Sequence, residues 1–306
     1  MTGAVVRRWE PSGPYDLPGN LRVLRRGPGD PTHRLRDGEL WRTSRTPDGP
    51  VTLRLTSESG AVCAQAWGSG ADWALDRLPA LLGESDRPEE FVPRHRVVLR
   101  AHRARPGLRL VRTGLVLESL IPSVLEQKVT TDEAYRAWRL LVRRYGEPAP
   151  GPAQLMPPGM YVMPGPREWR HIPSWEWHRA GVDGKRSAAV LRACRVAPRL
   201  EEAAGMPLPQ ALHRLQLVPG IGPWTAAETL QRSNGDPDAV TVGDLHLPGI
   251  IGYALTGRRG LDDEAMLELL APYAGQRHRA TRLLLAEGPV PARRAPRFPV
   301  GDIARL

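Results

Sequence analysis

The stretch that most constrains this chain is Leu215–Leu247, LQLVPGIGPWTAAETLQRSNGDPDAVTVGDLHL. Ala211, Leu212, Leu215 and Val218 recur at three- and four-residue steps, the stripe of an amphipathic helix. Pro219 ends that helix, and Gly220 and Gly222 allow a tight turn with positive φ. Pro223 suits the first position of a second helix, where its missing N–H costs nothing, and Trp224, Ala227 and Leu230 follow on it. The expectation is two helices joined by a bare backbone hairpin at Gly220, Ile221, Gly222 and Thr225. Free N–H groups at a helix N-terminus make a ready anion site, and a DNA phosphate is the natural occupant. An ordinary Gly-Pro helix connection carries the same punctuation.

After the second helix come three acids. Asp236 and Asp238 lie in Ser233-Asn234-Gly235-Asp236-Pro237-Asp238, which reads as a solvated turn. Asp244 stands twenty residues after Trp224, flanked by apolar residues that would hold it against the body of the protein. Pro248 would fit the first turn of the helix that follows, and a helix start favours a carboxylate.

Composition adds a weaker argument. The net charge of +10 fits a polyanionic partner. The 43 basic residues are 41 Arg and two Lys, with much Ala, Gly and Pro, a bias that a GC-rich genome also produces. The charge is spread evenly along the chain, so the hairpin carries most of the weight. There is no apolar run of eighteen residues and no apolar N-terminal core of a signal peptide. With Cys63 and Cys194 far apart, this points to a reducing bacterial cytoplasm, in company with the nucleoid, and to no disulfide framework.

The chain reads as α+β, with an N-terminal antiparallel β-sheet domain with helix over residues 1–105, an all-α body over 106–288 and a Pro/Arg-rich tail over 289–306. Val51, Leu53 and Leu55 alternate with polar residues, Ser57–Gly60 is a turn, and Ala61–Trp67 is a second strand. Leu21, Val23 and Val97–Leu99 are further strand candidates. Trp73 to Leu82 suggests a helix closed by Gly83, with Pro79 able to kink it. This front domain carries no chemical motif and reads as support. From Pro106 onward the pattern is helical. Leu115 to Leu125 is strongly apolar, and Thr130 with Glu133 forms a capping box that starts a new helix. Gln127 and Lys128 therefore sit on a tight corner between two helices, a place from which a side chain projects. Residues 148–166 read as a surface loop. Trp175 and Trp177 beside His171 and His178 read as packing residues rather than base platforms or a metal site. Arg186, on a helix over 184–196, could meet a phosphate.

Pro219-Gly220-Ile221-Gly222-Pro223-Trp224-Thr225-Ala226, with Asp244 behind it, resembles the hairpin of the helix-hairpin-helix DNA glycosylase superfamily. Within it the match is to the 3-methyladenine DNA glycosylase II family. The resemblance spans most of the chain loosely, and about forty residues carry its specific motifs. It implies that Asp244 is catalytic and that Trp224 presents a ring to an extruded base. The corner at Gln127 and Lys128 resembles the family element that wedges into the hole left by a flipped nucleotide. Apolar or amide wedges are usual there, so a lysine departs from the pattern and could instead meet a phosphate. Family members that also cut the strand carry a lysine where Trp224 stands, because an amine must be the nucleophile. The resemblance therefore implies a monofunctional enzyme. An iron–sulfur cluster, held by some superfamily members, needs four cysteines, so no cofactor and no metal is expected. Two further departures thin the aromatic pocket. Glu228, counted with Trp224 in the base pocket, stands where better-known members have an aromatic residue and could either attract a cationic base or simply face solvent, and the last helix offers only leucines such as Leu284 and Leu285.

The implied reaction is monofunctional excision of N3- or N7-methylated purines from duplex DNA, leaving an abasic site, by a monomer without a protein partner. The transition state resembles an oxocarbenium ion. A methylated purine is already cationic and leaves neutral, so one carboxylate suffices, and an ordinary aspartate is ionised at neutral pH. Two rivals stand beside this: a glycosylase for hypoxanthine or uracil, which would call for more hydrogen-bonding groups, and a DNA-binding protein that grips with the hairpin without catalysis. A grip needs no buried carboxylate at this spacing.

Overall fold

The computed structural model describes residues 4–290. The front of the chain is a five-stranded antiparallel sheet made of β1 (Val5–Trp9), β2 (His33–Arg36), β3 (Glu39–Thr46), β4 (Gly49–Glu58) and β5 (Ala61–Trp67), in the spatial order β1-β5-β4-β3-β2. The alternation of Val51, Leu53 and Leu55 sets its register. Leu53 pairs with Ala66 and Leu55 with Ala64, so one apolar face is buried. Helix α1 (Leu17–Leu21), α2 (Ala71–Asp76) and α3 (Leu78–Leu81) cover that face, with Leu21, Leu75 and Leu78 in the shared core. The break between α2 and α3 falls at Arg77, two residues before Pro79, and Gly83 follows with φ +81°.

Two strand expectations are corrected. Leu21 ends α1, and Val23 lies in a 3-10 turn over Arg22–Leu24. Asp16 caps α1 by accepting from the Gly19 N–H at 3.0 Å, and Pro18 sits in its first turn, so local capping outweighs the β-branched Val23. Val97–Leu99 is not a strand but part of α4 (Arg96–Ala104). Val98 and Ala101, three apart, both face inward, and contacts with distant helices decide between two shapes that three apolar residues fit equally.

The body starts with α5 (Val116–Leu125), which carries Pro122 inside it, and α6 (Thr131–Tyr145), which opens on the expected Thr130–Glu133 capping box. The loop that follows holds a short strand pair, β6 (Glu147–Pro148) with β7 (Tyr161–Val162). Next come α7 (Pro166–Arg170), α8 (Ser174–Arg179), α9 (Gly184–Arg195), α10 (Ala197–Glu201), α11 (Leu208–Gln216) and α12 (Pro223–Ser233). The tryptophans divide. Trp177 stacks on Trp169 inside the core, while Trp175 is 69% exposed.

The chain closes with α13 (Leu247–Thr256), α14 (Asp263–Leu270) and α15 (Arg277–Glu287). Their core includes Phe91, Val98 and Ala101 together with Ile251, Leu283 and Leu284. The segment before residue 105 thus packs against the end of the chain rather than against the sheet. The expected tail lies, from residue 291 on, outside the described residues. No described helix is long and apolar enough to cross a membrane.

Candidate nucleic-acid interface and catalytic groove

Helices α11 and α12 meet at the hairpin as the sequence predicts, but the two glycines do different work. Gly220 takes φ +98°, and a Cβ there would lie 2.8 Å from the Ala189 Cβ, so only glycine fits. Gly222 is extended, with φ −94° and ψ −179°, and a Cβ there would meet nothing within 4 Å. Its role is open space rather than backbone freedom. The hairpin carbonyls are tied down from behind. Arg192 donates to the Pro219 carbonyl at 3.2 Å, and the Gln127 amide donates to the Gly220 carbonyl at 2.9 Å. The Ile221 N–H is occupied by the Val218 carbonyl, and Ile221 itself is buried. The Thr225 side chain is also buried, and its hydroxyl accepts from Gln127 at 2.8 Å. That leaves the N–H groups of Gly220, Gly222, Trp224 and Thr225 as the donors at the start of α12 without a backbone partner among the described residues.

These bonds separate the two corner residues. Gln127 is half-buried and spends its amide on the hairpin, so it braces rather than projects. Lys128 is exposed and holds φ +54°, a costly conformation for a residue with a side chain, at the tip of the corner.

Asp244 is held on both oxygens. Oδ1 accepts from the backbone N–H groups of His246 and Leu247, both at 2.8 Å, which seats the carboxylate at the start of α13. Oδ2 accepts from the Trp224 indole N–H at 2.9 Å. Gly243, with φ +88°, turns the chain into this position, and its N–H donates to Asp263. The neighbouring Leu245 is 88% exposed. Asp236 and Asp238 were expected in a solvated turn, but their carboxylates are engaged within the protein. Asp236 accepts from the Asp238 N–H at 2.8 Å, and Asp238 pairs with Arg277 at 2.5 Å.

One groove contains Lys128, Trp224 and Asp244. Basic side chains outnumber acidic ones along it, so field lines of one sign concentrate there. Arg186 does not serve a phosphate. It is buried, pairs with Asp183 at 2.6 Å and donates to the Leu125 and Gly181 carbonyls. Glu228 is neither solvent-facing nor free for a ligand. It pairs with Arg232 one turn on at 2.6 Å, both side chains being 16% exposed.

Several groove residues escaped the sequence reading. Tyr135 on α6 adds a second ring, and burial raises its pKa. Arg26 of the front domain reaches into the wall and pairs with Glu126 at 2.9 Å, while Arg232 donates to the Val23 carbonyl at 3.0 Å. The front domain is therefore part of the site as well as support. Arg282 on α15 also lines the groove. Only the arginine pattern of α15 hinted at it, and that pattern is common along this chain. Among the described residues no cluster of three His, Cys, Asp or Glu side chains is placed to hold a metal ion.

This chain, a sheet domain followed by a helical body with a glycine hairpin, shares its fold with solved DNA glycosylases. No family model matches the chain. Among solved structures, the 3-methyladenine DNA-glycosylase from Archaeoglobus fulgidus superposes with a TM-score of 0.74 over 92% of this chain and 98% of that one, at 17% identity. The Clostridium acetobutylicum 8-oxoguanine glycosylase/lyase in complex with double-stranded DNA superposes at 0.70 over 93% and 94%, at 11% identity. In sequence, the chain is 29% identical to the "Probable bifunctional transcriptional activator/DNA repair enzyme AlkA" of Mycobacterium tuberculosis in two strains, over 80% of this chain and 50% of that protein. The chain spans about half the length of these curated relatives.

Proposed function

We propose that the protein is a monofunctional DNA glycosylase that flips alkylated purines, methylated at N3 or N7, out of duplex DNA and leaves an abasic site. The observation that carries this is the Asp244 carboxylate, locked by three hydrogen bonds at the start of α13 and against Trp224, in the same groove as the hairpin and Lys128. In the reaction the bond from the base nitrogen to the deoxyribose C1′ breaks, and its electron pair leaves with the base. A methylated, cationic purine departs neutral, so it needs no added proton. Asp244 faces the positive charge that grows on the sugar, and water then adds at C1′ and passes its proton to solvent. Preorganised charge of this kind acts in the transition state without having to reorganise. Trp224 and Tyr135 are the ring faces offered to the cationic base. The free N–H groups of the hairpin grip phosphate without reading sequence, so binding is salt-sensitive and sequence-tolerant. Trp224 occupies the motif position from which a lysine would attack C1′, which supports hydrolysis without strand cleavage. The protein acts as a monomer in the cytoplasm on damaged double-stranded DNA.

The test is single-turnover base release from methylated duplex DNA by wild type and Asp244→Asn. The expected result is release by wild type and a loss of roughly 100- to 1,000-fold in the variant, with DNA binding intact. Binding without release by wild type would favour a non-catalytic grip. Equal release by both proteins would remove Asp244 from the mechanism.

A further inference from the structure

The corner between α5 and α6 is tied down on both sides of its exposed tip. Lys128 at the tip holds φ +54°, a conformation that persists in a residue with a side chain only where the surroundings fix it. Before the tip, the Leu125 carbonyl accepts from Arg186 at 2.8 Å, and Glu126 pairs with Arg26 of the front domain at 2.9 Å. After it, Thr130 and Glu133 close the capping box of α6. Gln127 makes the tie that reaches the hairpin. Its Nε2 donates to the Gly220 carbonyl at 2.9 Å and to the Thr225 hydroxyl at 2.8 Å. An amide nitrogen carries two hydrogens, so both are spent.

The two acceptors belong to the hairpin turn and to the first turn of α12, where the free N–H groups are placed to grip a phosphate. One side chain therefore fixes the separation between that grip and the Lys128 tip, and both line the groove that holds Asp244. Extruding a nucleotide sets two demands at that separation. Its backbone has to be held at the hairpin while the stack is kept open from the corner. Two surfaces that moved independently would let the stack close while the phosphate stayed bound.

We propose that Gln127 is a positioning residue for extrusion: its amide locks the Lys128 corner to the hairpin, so that gripping the backbone and opening the stack are one rigid-body event. The proposal rests on the glycosylase reading above and deepens it. Gln127 itself touches neither the base nor C1′ in this arrangement. It acts through the tip that it holds in place.

A strand carrying one 7-methylguanine is annealed to a complement with either cytosine or a tetrahydrofuran spacer opposite the lesion. A base without a partner costs less to extrude, so the two duplexes separate extrusion from bond breaking. Wild type, Gln127→Leu and Gln127→Glu are compared by single-turnover release. Gln127→Glu keeps the shape but turns an acceptor towards the Gly220 carbonyl. The expected result in both variants is a roughly tenfold slowing on the cytosine duplex, the worth of one lost tie, against less than about twofold on the spacer duplex. Affinity for undamaged duplex and its salt slope should not change. Thr225→Val removes one of the two acceptors and should slow release less, without adding to the effect of Gln127→Leu. Equal slowing on the two duplexes overturns the proposal, because it puts Gln127 in the chemistry or the fold. So does an unchanged rate, and so does a fall of about one in the salt slope, which would place Gln127 in the phosphate grip alone. Fluorescence of 2-aminopurine beside the lesion reads stack opening without chemistry, and it should rise with wild type and rise less with Gln127→Leu. If wild type opens the stack but releases no base, the glycosylase reading falls and the fluorescence alone decides the role of Gln127. If wild type neither opens the stack nor releases base, both fall. If wild type releases base and the variants slow both duplexes alike, only this proposal falls. Melting temperatures of the four proteins guard against misfolding.

Discussion

The two walls of the groove are built on opposite principles. On the Asp244 wall the side-chain groups that set the carboxylate and the hairpin are committed. Both carboxylate oxygens, the Trp224 indole N–H and the Gln127 amide have partners at 2.8–2.9 Å. On the α15 side, Arg282 lines the groove with no hydrogen bond or ion pair among the described residues, and the His278 ring nitrogens, buried on the same helix outside the groove lining, have no hydrogen-bond partner. A satisfied wall holds geometry, which bond breaking requires whatever base is bound. A cation without a hydrogen-bond partner in the fold stays open to an acceptor from outside it.

The largest effect that tests this contrast is on stability. Within the arginine cluster of α12 and α15, Glu228 compensates Arg232 and Asp86 compensates Arg279. Glu228→Gln is expected to lower unfolding free energy by about 3 kcal/mol, because it leaves Arg232 buried without its anion. Arg282→Met removes a like charge from the same cluster and should cost nothing or stabilise slightly. Urea unfolding of the two variants checks this, and equal losses would erase the distinction between the walls.

Acid should attack the α15 wall next. His278 has its pKa held well below the ordinary histidine value by burial and by Arg282, Arg232 and Arg279, and His33 in the sheet domain is lowered to about 4 by burial and Arg42. Between about pH 6.5 and 4 the unfolded chain therefore binds more protons than the folded one. Stability is full above the unfolded value and is lost as pH falls through this window. His33 alone contributes on the order of 1–3 kcal/mol. Melting temperatures from pH 7.5 to 4.5 should fall steeply for wild type and less for His278→Gln, whose remaining slope reports His33. Overlapping curves would show that His278 is not held neutral.

On the committed wall, Trp224→Phe keeps a ring but removes the bond to Asp244 Oδ2. Release should slow roughly tenfold with the affinity for undamaged duplex unchanged. An unchanged rate would mean that Asp244 is positioned by the α13 backbone alone. The smallest effect is expected at Lys128. Lys128→Ala should slow release about threefold if the side chain fills the stack. If it meets a phosphate instead, the salt slope of binding should fall by about one with release unaffected at saturating protein.

The hairpin, the spacing to Asp244, the β4–β5 pair and the capping box of α6 were legible in the sequence because each is written locally. Proline and glycine punctuate, apolar residues keep a period of two or about four, and a Thr–Glu pair at a spacing of three satisfies its own backbone. Three apolar residues at Val97–Leu99 do not choose between helix and strand, and only the packing of Val98 and Ala101 against the α13 and α15 core decided it. Nor did sequence separate Gln127 from Lys128, since the amide's partners, Gly220 and Thr225, lie more than ninety residues away. By itself, the sequence determined that two helices meet at a bare backbone turn and that one carboxylate follows at a fixed distance. The tertiary structure alone decided which side chains are spent. Glu228 and Arg186 are consumed by Arg232 and Asp183, while Arg282 is left facing the groove. The physical reason is that whether a charge is paired depends on which distant groups come within about 4 Å of it, and local pattern carries no information about that distance.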